Sequence, residues 1–151
     1  METTLNTLRS HSRHFSIDGT IDPNFLRGMT VLHIDDHEFY TFTAKRAVEG
    51  NQWDYTYVKS GEAAVKLYET GKVFDVIFMD LNLGSAMDGY ETVQKIRQIR
   101  PTQLIYSSSA NKPSSIKEGY FKAHLGKVGG KVSLYQAISK DLIELRITFL
   151  S

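Results

Sequence analysis

The chain has 151 residues, of which 41% are hydrophobic and 23% charged; it has no cysteine and a formal net charge of +1. This composition predicts one globular domain with a hydrophobic core, and it provides no overall charge for gripping nucleic acid or an anionic membrane. Disulfides, zinc–thiolate sites and cysteine nucleophiles are excluded. No apolar stretch approaches the roughly 20 residues of a membrane span, and the N-terminus shows no secretory signal, so we expect a cytoplasmic protein.

Residues 1–28 are mostly polar, with scattered leucine and phenylalanine. We interpret them as a partly ordered N-terminal extension that packs on the domain formed by residues 29–151. Asp22-Pro23 is typical of the start of a short helical turn. The alternative for this extension is a segment that forms a homodimer or binds a partner.

From Met29 onward, segments typical of strands alternate with segments typical of helices. The predicted strands lie at about 30–34, 55–58, 76–79, 104–108 and 123–125. The predicted helices lie at about 38–48, 61–70, 90–99 and 111–119, and from 134 onward, where Ser133 is the expected N-cap. Five alternations predict an α/β fold, with a doubly wound five-stranded parallel sheet and helices on both faces.

Helical spacing also predicts which residues of two helices face the core. In the third helix we expect Val93, Ile96 and Ile99 to face inward, and in the last helix Leu134, Ile138, Leu142 and Leu145.

Two of the predicted strands end in aspartate. Val31-Leu32-His33-Ile34 runs into Asp35 and Asp36, and Val76-Ile77-Phe78-Met79 runs into Asp80. Continuous apolar runs are typical of strands buried on both faces, and the carboxyl ends of such strands form the ligand-binding edge of open α/β sheets. Two carboxylates about 4 Å apart repel by about 4 kcal/mol near a protein surface. A divalent cation with oxygen ligands, Mg²⁺ or Mn²⁺, would relieve that repulsion.

Two more polar groups follow the remaining strands at the same predicted edge. Ser107-Ser108-Ser109 ends the fourth strand, and Leu125-Gly126-Lys127 ends the fifth. A hydroxyl donor, an ammonium and a metal site around one carboxylate suit the binding of a phosphoryl group. Of the nearby histidines, we expect His33 to be a core residue and His37 to be exposed beside the site, with contact to a phosphoryl group as the alternative for His37.

At this point the chain resembles the receiver domains of two-component response regulators. The resemblance spans about residues 29–151 and rests on five motifs in order: VLHIDD, SGEAAVKLYETGKVFDVIFMDLNL, MDGYETVQKIR, SSA and HLGK. It implies the flavodoxin-like receiver fold. It also implies that Asp80 accepts the phosphoryl group, that Asp36 and Asp80 bind the metal directly and Asp35 through water, and that the backbone carbonyl of Asn82 completes the ligands.

The same resemblance implies roles for three further residues. Ser109 would hydrogen-bond the phosphoryl group and move toward it, and Lys127 would form an ion pair with it. His124 takes the place of the family's aromatic switch residue, so Ser109 and His124 would together repack the face beside the fifth strand.

The sequence departs from the family pattern in two places. Val128 follows Lys127 where a proline is usual, and Lys131 is a rival for the phosphate-binding lysine; we choose Lys127. The loop at 84–86 replaces the usual proline and adds one residue, which predicts a looser loop beside the acceptor. Ser108 is a lesser alternative to Ser109.

The function this implies is that of a phosphoryl-accepting receiver, served by a sensor histidine kinase or a phosphotransfer protein and signalling to a downstream protein. Apart from its own phosphorylation and dephosphorylation, we expect no enzymatic activity. The alternative is a receiver-like interaction module that is not phosphorylated. A metal-dependent phosphatase with Asp80 as nucleophile is disfavoured, because Asn82 stands where such enzymes need a second acid.

Overall fold

The computed structural model describes residues 23–84, 86–109, 117, 119–129 and 133–150. Three features of the sequence analysis lie outside these residues: nearly all of the N-terminal extension, most of the predicted helix at 111–119, and Lys131.

The centre of the fold is a parallel sheet of five strands. They are β1 (Thr30–Ile34), β2 (Asp54–Val58), β3 (Val76–Met79), β4 (Leu104–Ser108) and β5 (His124–Leu125). Their order across the sheet is β2-β1-β3-β4-β5. The predicted doubly wound sheet is therefore confirmed, and all five strands lie where the sequence pattern indicated, within one residue.

The described helices are α1 (Thr41–Glu49), α2 (Gly61–Glu69), α3 (Gly89–Ile99) and α4 (Leu134–Leu150), with 3₁₀ turns at Pro23–Leu26 and Glu38–Tyr40. Side-chain caps explain three of the helix starts. Ser60 Oγ accepts from the Ala63 N–H at 3.1 Å, and Asp88 Oδ1 accepts from the Glu91 N–H at 2.8 Å. Ser133 Oγ lies 3.5 Å from the Gln136 nitrogen, as the predicted N-cap requires.

Alternation along the strands divides the core between the two faces of the sheet. On one face, Val31, Val76 and Phe78 pack against α1 and α4; on the other, Leu32, Ile34, Ile77 and Met79 pack against α2 and α3. Both faces of β1 and β3 are thus covered. The polar residues that follow these two strands are therefore confined to the exposed carboxyl edge of the sheet.

One of the predicted inward positions is wrong. Ile99 is 44% exposed, because the inward position one turn after Ile96 is taken by Arg100, whose guanidinium donates to the Phe74 carbonyl at 2.8 Å. Leu145 is half-buried and packs against the core, as predicted, while Ile143 and Ile147 of the same helix are buried more deeply.

The residues just before β1 pack on the domain. Phe25 and Leu26 are buried in the core shared by α1 and α4. The guanidinium of Arg146 in α4 donates to the carbonyl oxygens of Phe25 and Arg27, at 2.8 and 3.0 Å. The division into an extension at 1–28 and a domain at 29–151 stays a prediction.

Among the described residues, no helix combines the length and the apolar character that crossing a membrane requires.

One glycine fixes how the chain passes from β5 toward α4. Gly129 has φ +95, and a Cβ there would lie 2.5 Å from the carbonyl oxygen of Thr43 in α1. Gly71 has a similar φ of +92, but a Cβ there would meet nothing within 4 Å. A substitution at Gly71 therefore causes backbone strain alone, whereas a substitution at Gly129 causes both strain and a steric clash.

We expect Gly71→Ala to lower the free energy of unfolding by about 1 kcal/mol, from backbone strain alone. Gly129→Ala should cost at least about 1 kcal/mol more, because the methyl group collides with the backbone of α1. Urea denaturation of both variants measures the difference. Equal losses would contradict the close contact between Gly129 and α1.

Candidate functional site

The register between β1 and β3 brings the three aspartates together. Ile34 pairs with Met79, and the N–H of Asp80 donates to the Ile34 carbonyl at 2.9 Å. The acids that follow the two strands therefore emerge side by side. Ligand atoms of four residues lie within 4.8 Å of one another: Asp35, Asp36, His37 and Asp80.

Asp35 is fully buried and has both carboxylate oxygens occupied. Oδ1 accepts from the His37 N–H at 2.9 Å, and Oδ2 accepts from Lys127 Nζ at 2.6 Å. Burial opposes the ionisation of Asp35, but polar contacts from the His33 ring, Lys127 and the His37 N–H outweigh it and hold its pKa well below the usual range. Asp35 is thus a permanent negative charge at the base of the site.

Asp80 differs from Asp35 in keeping one oxygen free. The side chain is 2% exposed, and its Oδ1 accepts from the Asn82 N–H at 3.0 Å. Its Oδ2 has no hydrogen-bond partner among the described residues and lies 3.5 Å from Lys127 Nζ. Burial first, and then the charge of Asp35, raise the pKa of Asp80. The result is a buried carboxylate oxygen with capacity for a cation or a new bond.

Asp36 ties the loop after β3 to the site. Its Oδ2 accepts from the Gly84 N–H at 2.9 Å, and the neighbouring Leu83 is buried against α2 and α3. The part of this loop before Ser85 is therefore held by one hydrogen bond and by burial. Ser85 itself lies outside the described residues, so the looser loop stays a prediction.

Lys127 reaches the site from β5 and is only 13% exposed. Its ammonium lies 4.3 Å from the centre of the Tyr40 ring, in a cation–π contact. The residue after it, Val128, is buried in the core beside α1 and α4. Together with the contact of Gly129 on α1, this burial anchors the chain beyond Lys127 and aims its side chain at the carboxylates.

The serines at the end of β4 are buried. Ser108 Oγ donates to the Gly126 carbonyl at 3.0 Å, and Ser107 Oγ lies 2.8 Å from His124 Nδ1. Ser109 comes one residue after the strand, as Asp80 does in β3. Of the three serines, Ser109 therefore has the position nearest the carboxyl edge.

The residues present fit a hard divalent cation. Carboxylate oxygens are the ligands that Mg²⁺ and Mn²⁺ prefer, and a buried carboxylate without a partner is unfavourable unless a cation satisfies it. Asp80 Oδ2 has no hydrogen bond among the described residues, and Lys127 Nζ, at 3.5 Å, compensates its charge only in part. The negative charge of the cluster alone does not require a metal ion, because Lys127 already neutralises part of it.

The comparisons with known proteins decide the family. A family model described as "Response regulator receiver domain" matches residues 31–128. The chain belongs to the response regulator receiver family. This confirms the resemblance that the sequence motifs indicated, and it places the protein in two-component signalling.

Named relatives and solved structures agree with this assignment. The receiver is 28% identical over 128 residues to probable histidine kinase 6 of Oryza sativa subsp. japonica, and 29% identical over 92 residues to histidine kinase 3 of Arabidopsis thaliana. These matches cover 81% and 61% of this chain. They span only 13% and 9% of the two kinases, so the chain covers a small part of each relative.

Among solved structures, a mutant receiver domain of the histidine kinase CKI1 from Arabidopsis thaliana superposes with a TM-score of 0.60 at 28% identity. That match covers 78% of this chain and 90% of the CKI1 structure. A CheY-like receiver from Methanospirillum hungatei superposes with a TM-score of 0.67 at 18% identity, covering 78% of this chain and 96% of that one. The latter shows the fold alone.

Sequence reasoning missed a pair of tyrosines that support the receiver's acidic site from β2. Tyr57 donates its hydroxyl to the backbone carbonyl of Asp35 at 2.6 Å, and the Tyr55 hydroxyl lies 2.7 Å from His33 Nδ1. Burial raises the pKa of Tyr55, so its hydroxyl stays protonated. A Tyr55 hydroxyl that donates to Nδ1 would leave the proton of a neutral His33 ring on Nε2, which lies 3.5 Å from Asp35 Oδ2.

His33 is the buried core residue that the sequence predicted, although its Nε2 has no hydrogen bond among the described residues. The alternation of Tyr55 and Tyr57 along β2 indicates that both side chains lie on the same face of the sheet. Their contacts with the site follow only from the β1–β2 register, in which His33 pairs with Tyr57. Tyr40 was missed for a similar reason, since its place under Lys127 depends on the 3₁₀ turn before α1.

We expect Asp80→Asn to stabilise the receiver in the absence of divalent ions, by about 1 kcal/mol, because it removes a buried charge beside Asp35. The pKa of Asp80 is raised in the folded state, so the penalty exists above that pKa and disappears as the pH falls toward the unfolded value. The gain should therefore be largest at neutral pH and shrink in acid.

Urea denaturation of both proteins with EDTA, at pH 7 and at pH 4, measures this difference. Asp75→Asn is the matched control, because Asp75 is hydrogen-bonded to Thr30 at the opposite end of β1 and β3. That variant should be destabilised at pH 7. A loss of stability in Asp80→Asn at neutral pH would contradict the electrostatics described.

Proposed function

We propose that this receiver accepts a phosphoryl group on Asp80, with Mg²⁺ or Mn²⁺ bound, and signals by a change of conformation. The donor would be the phosphohistidine of a sensor histidine kinase or a phosphotransfer protein. The observation that carries the proposal is Asp80 Oδ2, a buried oxygen without a hydrogen bond that faces the ammonium of Lys127 at 3.5 Å. Such an oxygen is available as a nucleophile.

The transfer is a displacement at phosphorus. Asp80 Oδ2 forms the new O–P bond, the P–N bond to the donor histidine breaks, and the electron pair of that bond returns to the imidazole nitrogen. An acyl phosphate on Asp80 results. Because Asp80 Oδ1 is bonded to the Asn82 N–H, the carboxylate keeps its orientation while Oδ2 reacts.

The proposed metal ligands are Asp36 and Asp80 directly, Asp35 through water, and the backbone carbonyl of Asn82. Once Oδ2 has bonded to phosphorus, Asp80 would keep the ion through its other oxygen, Oδ1. When bound, the divalent ion neutralises charge on the transferred phosphoryl oxygens. Lys127 contributes a second positive charge, since its Nζ already lies between Asp35 and Asp80. Ser109 would donate its hydroxyl to a phosphoryl oxygen.

The signal would arise where β4 and β5 meet. Ser109 follows β4 directly, and its backbone N–H donates to the Leu125 carbonyl of β5 at 3.4 Å. On the same strands, the Ser107 hydroxyl holds the ring of His124. Movement of Ser109 toward a phosphoryl group would disturb this edge and favour a second packing of His124, which a downstream protein could recognise.

Two observations from the comparisons support a histidine kinase or phosphotransfer protein as the phosphoryl donor. The sequence relatives are histidine kinases, and one superposed structure is the receiver domain of a histidine kinase. We infer that the donor is of the same chemical class, a phosphorylated histidine on a kinase or phosphotransfer protein.

The direct test is phosphorylation with acetyl phosphate and Mg²⁺, followed by intact-protein mass spectrometry. We expect a gain of one phosphoryl group in the wild type and none in Asp80→Asn. Asp88→Asn is the control, because Asp88 caps α3 outside the carboxylate cluster and should leave phosphorylation intact.

If the wild type binds Mg²⁺ but gains no phosphoryl group from acetyl phosphate or from a phosphohistidine donor, the interaction module without phosphorylation is the better function. Phosphorylation that persists in Asp80→Asn would place the acceptor elsewhere.

A second test separates the two candidate lysines. We expect Lys127→Met to lower the rate of phosphorylation by at least about tenfold, because a charged group that stabilises the transferred phosphoryl is lost. Lys131→Met should keep a rate near that of the wild type. Circular dichroism and thermal unfolding check that both variants fold, and the reverse order of rates would assign the role to Lys131.

A further inference from the structure

The imidazole of His37 lies within the carboxylate cluster, although no role in the proposed phosphoryl transfer has been given to it. Its Nδ1 is 2.8 Å from Asp36 Oδ1, 3.5 Å from Asp35 Oδ1 and 3.9 Å from Asp80 Oδ2. The side chain is 59% exposed, so one edge of the ring faces the acids while most of it faces solvent. The sequence analysis predicted the exposure and a position beside the site, but not the contacts with the three acids.

The local backbone holds the ring in this place. The His37 N–H is bonded to Asp35 Oδ1 at 2.9 Å, and the His37 carbonyl accepts from the Tyr40 N–H at 3.2 Å. The Tyr40 ring meets the imidazole edge-on, with centroids 6.2 Å apart. Two backbone hydrogen bonds and a ring contact therefore direct Nδ1 toward the acids.

The closest contact of Nδ1 is not a hydrogen bond. Asp36 Oδ1 has no hydrogen-bond partner among the described residues, although Nδ1 lies 2.8 Å away. The two atoms are therefore close without being aligned as donor and acceptor. A separation of this size is also what two neighbouring ligands of one ion show, since ligands about 2.1 Å from a metal at right angles lie about 3 Å apart.

A second, independent observation points to an ion at the same place. Asp80 Oδ2 is buried, lacks a hydrogen bond and faces the cluster, 3.9 Å from His37 Nδ1. The unpaired oxygens of Asp36 and Asp80 thus lie 2.8 and 3.9 Å from the imidazole nitrogen, in a cluster whose ligand atoms are within 4.8 Å of one another.

We propose that His37 Nδ1 is an additional protein ligand of the divalent ion, and that the site therefore prefers borderline transition ions such as Co²⁺, Zn²⁺ and Mn²⁺ to Mg²⁺. The inference rests on the proposed function, because it concerns the same metal site.

The preference follows from ligand chemistry. Mg²⁺ selects oxygen ligands and gains little from an imidazole, whereas Mn²⁺, Co²⁺ and Zn²⁺ bind imidazole nitrogen increasingly well along the first transition series. A site of carboxylates alone discriminates less between these ions. One nitrogen in reach of the ion therefore shifts selectivity without removing the carboxylates needed for phosphoryl transfer.

The experiment is calorimetric titration of the untagged protein with Mg²⁺ and Co²⁺, on the wild type, His37→Asn and Glu38→Gln. We expect His37→Asn to weaken Co²⁺ binding by at least about tenfold while Mg²⁺ affinity changes by less than about threefold. Glu38 is exposed and ion-paired with Lys59, so its variant alters the local charge without removing a cluster ligand. It should shift both ions by the same factor.

Pulsed electron paramagnetic resonance with Mn²⁺ supplies a direct readout. The wild type and Glu38→Gln should show coupling to a coordinated imidazole nitrogen, and His37→Asn should not. The spectrum of Asp80→Asn serves as the control for Mn²⁺ bound elsewhere on the chain, such as at the other histidines. This spectrum is subtracted from that of the wild type.

Three results would overturn the inference: no nitrogen coupling in the wild type, equal changes for Mg²⁺ and Co²⁺ in His37→Asn, or tighter binding of both ions. Tighter binding would mean that His37 acts as a positive charge that competes with the metal. In each case Mg²⁺ still binds and the proposed function stands. Only the absence of any divalent binding that depends on Asp80 would count against both.

Discussion

The site depends on one shared cation, the ammonium of Lys127. Its Nζ lies 2.6 Å from Asp35 and 3.5 Å from Asp80, so a single positive charge is held between two buried carboxylates. Such a cluster is unstable if one charge is left unpaired, because buried ions lose their hydration. The positive charge of Lys127 compensates Asp35 more than Asp80, because it lies closer to Asp35. This asymmetry is our reason for proposing Asp80 as the acceptor and Asp35 as a fixed negative charge.

The rest of the structure preserves that asymmetry. The β1–β3 register sets the two acids side by side, and the tyrosines of β2 hold Asp35 from behind through its backbone and through His33. On the other side, the burial of Val128 and the close passage of Gly129 over α1 fix the chain that carries Lys127. Hydrophobic packing on both faces of the sheet therefore determines distances at its polar edge.

The strands and the acids that follow them were predictable from sequence. In a parallel sheet, an apolar run followed by aspartate indicates a buried strand with an acid at the carboxyl edge of the sheet. Contacts that depend on register or on a turn were not predictable. The place of Tyr57 required the β1–β2 pairing, and the direction of the His37 ring required the 3₁₀ turn after it. The exposure of Ile99 depends on the hydrogen bond from Arg100 to the Phe74 carbonyl, and the spacing of apolar residues in the sequence does not indicate this bond.

The most direct measurement of the central claim is a crystal structure of the protein with Mg²⁺ and beryllofluoride, a stable mimic of the aspartyl phosphate. We expect the beryllium on Asp80 Oδ2, with Lys127 Nζ moved from Asp35 into contact with a fluoride and Ser109 Oγ donating to another. Beryllofluoride bound at a different residue, or a Lys127 that remains on Asp35 while another lysine contacts the fluorides, would contradict the shared-cation site.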